Sequence, residues 1–198
     1  MRGGAEDKDT AGEKLSFQSG VAVFNLQVAL DRNDERAANS AASQVCRVLG
    51  ISREQNRPDA PLKSSQVPFL DQALTTFYGE LPGKLVQGAP GSFASEAAAQ
   101  AEALRQAGSL DKGYFDLGAW AEAGRLAALS KKPALSRRKE AEYLLGQLLK
   151  EKDADLPPEV VTALKDIEKL PADDYPALKT AFENILAYYY PQGRPYEG

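Results

Sequence analysis

The chain contains no histidine, and its residue spacings that resemble catalytic or ligating motifs are built on serine, lysine, glycine and carboxylates. Ser109-Leu110-Asp111-Lys112 has the Ser-x-x-Lys spacing that sets a serine and a lysine on one helix face in serine acyl-enzymes. That chemistry needs a neutral lysine in a dry pocket and an oxyanion hole. Here an aspartate stands between the two, no Lys-Thr-Gly partner exists, and the segment falls between helices, where capping is the better reading. Gly79-Glu80-Leu81-Pro82-Gly83-Lys84 approaches a phosphate-binding loop but is one residue short. Leu85 replaces the magnesium-binding Ser or Thr, and Pro82 removes a needed N–H, so the stretch reads as a turn. Asp31, Asn33 and Glu35 have the alternate spacing of a calcium loop. Arg36 replaces its glycine and Ala42 its bidentate glutamate, which excludes that site too.

The missing histidine removes Ser-His-Asp triads, histidine bases, histidine-metal sites and histidine-ligated haem together. A helical di-metal site would want Glu-x-x-His pairs, which cannot occur. The carboxylates on expected helices, Glu96, Glu102, Asp116 and Glu122, are spaced as solvated faces or caps. Cys46, in Ser-Gln-Val-Cys-Arg-Val-Leu, reads as a small apolar helix position carrying an inert thiol. One cysteine also excludes an intrachain disulfide and a cysteine zinc site. No cofactor and no metal are expected.

At 198 residues, 43% hydrophobic and 26% charged, the chain has the composition of one soluble globular domain or two small similar halves. The net charge of −4 is evenly spread: residues 1–99 carry 10 basic and 12 acidic side chains, and residues 100–198 carry 14 and 16. Neither half offers a basic footprint for nucleic acid. No apolar run approaches the roughly 20 residues that span a bilayer. The opening stretch, 1–13, is small, polar and charged, and is expected to be a flexible acidic tail. It resembles the mature end of an exported protein, with a cytoplasmic chain as the alternative.

The elements that would position any site are all helical. Phe17, Val21, Phe24 and Val28 recur at steps of three and four from Leu15, with Leu26 and Leu30 beside them. Asn33 or Asp34 can cap a second helix that buries Ala38, Ala41, Ala42, Val45, Val48 and Leu49 and stops at Gly50. Residues 51–66, with Pro58 and Pro61, read as a surface connection. Pro68 then opens a third helix from Phe69 to about Leu81. Ser92 or Ser95 caps an alanine-rich fourth ending near Ala107, and a central helix follows over Tyr114–Leu129, where Gly118 and Gly124 permit close packing. Ser136 caps a helix to about Lys150, Pro157-Pro158 opens one to about Leu170, and Asp173 or Asp174 caps the last, to Tyr189. No segment sustains a period of two, so no sheet is expected.

This order predicts an all-α protein, an up-and-down helical bundle of about eight helices, with one domain over 14–190 and an irregular tail over 191–198. Phe24-Asn25-Leu26 and Phe115-Asp116-Leu117 each open a hairpin followed by a proline-initiated helix, which suggests two pseudo-repeated four-helix halves, 14–108 and 109–190. Tyr188, Tyr189 and Tyr190 point about 100° apart on a helix, so one face cannot bury all three. With Arg194 and Tyr196 they form a candidate partner contact, since tyrosine and arginine are enriched at hot spots. Lys131, Lys132, Arg137 and Arg138 form a basic loop suited to an acidic partner or anionic surface. The expectation is a non-enzymatic scaffold, accessory subunit or binding module for another protein. The alternative is a small-ligand or sensor domain with a pocket between the halves lined by Tyr114, Phe115 and Trp120; a carboxylate enzyme built on Asp116 and Glu122 is a third reading.

Overall fold

The computed structural model describes residues 6–53, 60–132 and 156–193, and it is mostly helical. The expected helix after Ser136, with Arg137 and Arg138, lies outside the described residues, as do Arg194 and Tyr196. The chain divides into two compact units, Met1–Phe115 and Asp116–Gly198.

The first unit opens with α1 (Glu6–Asp31) and α2 (Glu35–Leu49). Helix α1 begins at Glu6, ahead of the expected start at Leu15, and buries Phe17, Val21, Ala22, Leu26, Ala29 and Leu30. Phe24 and Val28 are only half-buried. The turn between the helices follows from two side chains. Asn33 takes a left-handed φ of 54° and accepts a hydrogen bond through Oδ1 from the Gly91 N–H at 2.9 Å. Asp34 caps α2, accepting from the Ala37 N–H at 3.0 Å. Every residue expected inward on α2 is buried, and Gly50 ends the helix at φ 64°.

Residues 51–66 hold a two-stranded antiparallel pair, β1 (Ile51–Arg53) and β2 (Leu62–Ser64), where the sequence predicted only a connection. Each strand is three residues long, too short for alternation to register. Ser64 fastens it, donating to the Leu49 carbonyl at 2.6 Å and accepting from the Val67 N–H at 3.0 Å. Helix α3 (Gln72–Leu85) packs on the pair through Gly79, where a Cβ would sit 2.7 Å from a Leu62 methyl. The start expected at Phe69 and the end at Leu81 are both corrected. Asp71 caps the helix, accepting from the Ala73 N–H at 2.7 Å, and Pro82-Gly83 lies inside it rather than in a turn. Pro82 cannot donate to the carbonyl four residues back. The Cys46 thiol donates to that carbonyl, on Tyr78, with Sγ 3.0 Å from the oxygen.

A short 3₁₀ turn (Pro90–Phe93) leads into α4 (Ala94–Arg105), which has no side-chain cap; Ser92 donates to the Ala89 carbonyl instead. Helix α5 (Lys112–Leu129) starts within this unit and continues into the second. Asp111 holds its start, accepting from the N–H groups of Gly113 and Tyr114 at 2.9 and 3.2 Å. Buried Ser16 of α1 donates to the Gly12 carbonyl and accepts from the Asp111 N–H, both at 2.8 Å. One apolar cluster runs from Ala22 to Phe115.

In the second unit, Trp120 meets Phe182 edge to face, ring centroids 4.9 Å apart. The Phe182 ring fills the space beside Gly124, where a Cβ would lie 2.2 Å from it. Helix α5 closes with Lys131 in the left-handed region at φ 50°, while the Lys131 and Lys132 N–H groups return to the Ala128 and Ala127 carbonyls. Helices α6 (Pro158–Lys169) and α7 (Tyr175–Tyr189) follow, packed on each other. Pro158 occupies the first turn of α6, and Asp174 caps α7 by accepting from the Ala177 N–H.

Candidate contact surfaces

The motifs excluded on sequence take structural roles. Asp111, at the centre of Ser109-Leu110-Asp111-Lys112, is the cap of α5, while Ser109 and Lys112 are exposed. Gly79–Lys84 is helical. Cys46 is screened by α3, and burial pushes its thiol up from 9.0 to about 11 even though its own backbone N–H pulls the other way. Such a thiol is protonated and unreactive at neutral pH. Among the described residues no three acidic or cysteine side chains converge in a way that would hold a metal ion, and no helix is long and apolar enough to cross a membrane.

The four carboxylates differ. Glu96 and Glu102 are exposed. A hydrogen bond from the Gln106 amide, at 2.7 Å, holds the Glu102 carboxyl below its ordinary range, with Arg105 adding to the effect. Asp116 is half-buried on α5. Glu122 is not on a solvated face: it is 2% exposed, and Arg125 one turn along donates to both its oxygens, Nε at 2.8 Å and Nη2 at 2.6 Å. Helix α5 is small or apolar on every side, so no face of it marks itself as the wet one. The fork-shaped guanidinium meets the carboxylate in two parallel bonds and neutralises it in place.

Of the pocket residues, Tyr114 and Phe115 are buried in the first unit and Trp120 in the second. The Trp120 Nε1 and the Tyr78 hydroxyl are both buried without a hydrogen-bond partner among the described residues. Burial keeps the Tyr78 phenol well above its ordinary pKa. Of the tyrosine run, Tyr188 is 40% exposed while Tyr189 and Tyr190 are 3% and 8% exposed. One tyrosine of three is therefore available at the surface, and burial withdraws Tyr189 and Tyr190 from it. Lys131 and Lys132 are exposed beside half-exposed Leu129.

Among the described residues, two further surfaces have features suited to contact. The first surrounds Phe69, which the sequence placed inside a helix. The Val67 carbonyl accepts from the Leu70 N–H at 3.3 Å, and Phe69 has a φ of 62°. Pro68-Phe69 thus fills the central positions of a type II turn, where the second residue is ordinarily glycine. The left-handed conformation costs a residue with a Cβ about 1–2 kcal/mol. The ring gains no packing in return: its side chain is 104% exposed, and it stands on the rim of a groove of about 590 Å³ between the start of α3 and the end of α4. Leu74, Ala103 and Ala107 line that groove. The second surface is the seam between α6 and α7, a groove of about 510 Å³ lined by Glu159, Asp166, Asn184 and Tyr188.

Neither surface is marked by hydropathy periodicity, because one depends on a φ angle and the other on two helices meeting. The Val-Pro-Phe-Leu-Asp order was the one available signal, since Asp71 is a better cap than anything before Phe69. Set against known proteins, the chain matches no protein family, no curated protein and no solved structure.

Proposed function

We propose that the chain is a non-enzymatic helical protein that works by contact, as a scaffold, accessory subunit or binding module for another protein. Its architecture on this reading is an up-and-down bundle of about eight helices in two related four-helix halves; the sequential packing of α1 on α2 and of α6 on α7 supports it. The observation that carries the function is Phe69. A large aromatic side chain held in a conformation that suits glycine, fully in water and beside an apolar groove, is unfavourable to the isolated fold twice over. Binding offsets both costs when the ring enters a partner, since one buried aromatic removes about 150–250 Å² from water. Tyr114, Phe115 and Trp120 serve as core, so the small-ligand alternative lacks a comparable feature.

Phe69→Gly separates the two roles of the residue. It relieves the turn, so stability measured by urea unfolding should be unchanged or higher by up to about 1 kcal/mol. Native mass spectrometry on protein gently purified from its own source should show a protein companion at fixed stoichiometry with the wild type and none with Phe69→Gly. A companion that survives the substitution, or a stoichiometric small molecule in its place, would overturn the reading.

A further inference from the structure

The seam between α6 and α7 carries a charge pattern of its own. Glu159 and Asp166 lie seven residues apart on α6, about 10.5 Å along its axis, and both are exposed. Neither carboxylate makes an ion pair or a side-chain hydrogen bond among the described residues. They share their groove with the half-exposed ring of Tyr188, and among the described residues no basic side chain lines it. A second groove, of about 380 Å³, shares Asp166 and Asn184 with the first and runs on to Ala177 and Leu170. The two form one trough along the hairpin, about 18 Å long at 1.5 Å per residue from Pro158 to Leu170. Among the described residues, the one cation lining it is Lys169, at the end remote from Tyr188.

We propose that this trough docks a cationic chain segment of another protein, with lysine or arginine side chains over Glu159 and Asp166 and one of them against the Tyr188 ring. Three observations favour that occupant. The Tyr188 end presents two uncompensated carboxylates and an aromatic face, the combination that attracts an ammonium or guanidinium group. Two carboxylates about 10 Å apart are beyond the reach of one small cation, but match a segment that presents two. Small side chains, Ala163 and Ala181 buried and Thr162 and Thr180 exposed, line its length, which leaves room for a main chain to lie along it. The seam uses other residues than Phe69 and does not depend on the role given to that ring.

Fluorescence anisotropy with fluorescein-labelled decalysine as the probe, on the full chain at low ionic strength, tests the proposal. Saturable binding is expected, weakened by added salt because the pairs are exposed. The double variant Glu159→Gln/Asp166→Asn should bind about fivefold more weakly, in keeping with the modest worth of exposed ion pairs, and Tyr188→Ala about threefold more weakly. The control Glu96→Gln/Glu102→Gln removes the same charge from α4 and should stay within about twofold, the level of a generic net-charge effect. No saturable binding by the wild type, or equal losses in the two double variants, would overturn it: attraction would then follow net charge and not this trough.

Discussion

The hydrogen bond from Cys46 to Tyr78 exists because Pro82 is where it is. A proline in a helix interior strands the carbonyl four residues back, and in a packed core that oxygen costs about 1–3 kcal/mol unless something donates to it. The thiol does so from α2, which turns a local defect of α3 into a tie between two helices. Cys46→Ala should therefore destabilise by about 1–2 kcal/mol. In a Pro82→Ala background, where the restored N–H can reach Tyr78, that cost should shrink by about 1 kcal/mol, a coupling measurable in a double-mutant cycle of urea unfolding. The same thiol sets a pH dependence. Burial raises its pKa from 9.0 to about 11, so the folded state keeps a proton that the unfolded state releases earlier. That contribution is whole below pH 9 and is lost as the pH rises through about 11. Across that window the wild type should lose stability relative to Cys46→Ala, and parallel curves would show that the thiol titrates alike in both states.

At the scale of elements, packing reverses what propensity predicts for Gly124. In a bare helix, exchanging glycine for alanine gains about 1 kcal/mol. Here the new methyl would occupy the space of the Phe182 ring, which is itself fully buried and braced by Trp120. Gly124→Ala should cost about 1–3 kcal/mol through overpacking, and Phe182→Leu should recover part of the loss when combined with it. A stabilised Gly124→Ala in thermal unfolding would mean that the ring moves aside freely. This close approach was legible in the sequence as two glycines in one apolar helix. So was α2, where a cap, a buried stripe and a stop glycine agree. The start of α3 was misread because Pro68 is a strong local signal for a first turn, and only the chain beyond it shows that Pro68 belongs to a β-turn. The strands were invisible for want of length. Glu122 was misplaced because a charge on an all-apolar helix gives no sign of which partner neutralises it.

For the molecule as a whole, the division into two units places one complete apolar cluster before Asp116. Residues 1–129, which keep α5 whole, should then fold without the rest and unfold cooperatively in urea by circular dichroism. A broad, non-cooperative transition would show that the first unit depends on the second. Within that unit most packing joins neighbours along the chain: α1 with α2, β1 with β2, and α2 with α3. The hydrogen bond from the Asp111 N–H to Ser16 is different, closing a span of 95 residues. Short loops close first because their entropy cost is lower, so this bond belongs on the native side of the folding barrier. An interaction absent from the transition state leaves the folding rate alone and slows unfolding. Ser16→Ala is therefore expected to shorten the interval for which the start of α5 stays seated, speeding unfolding in stopped-flow measurements while leaving the folding rate unchanged.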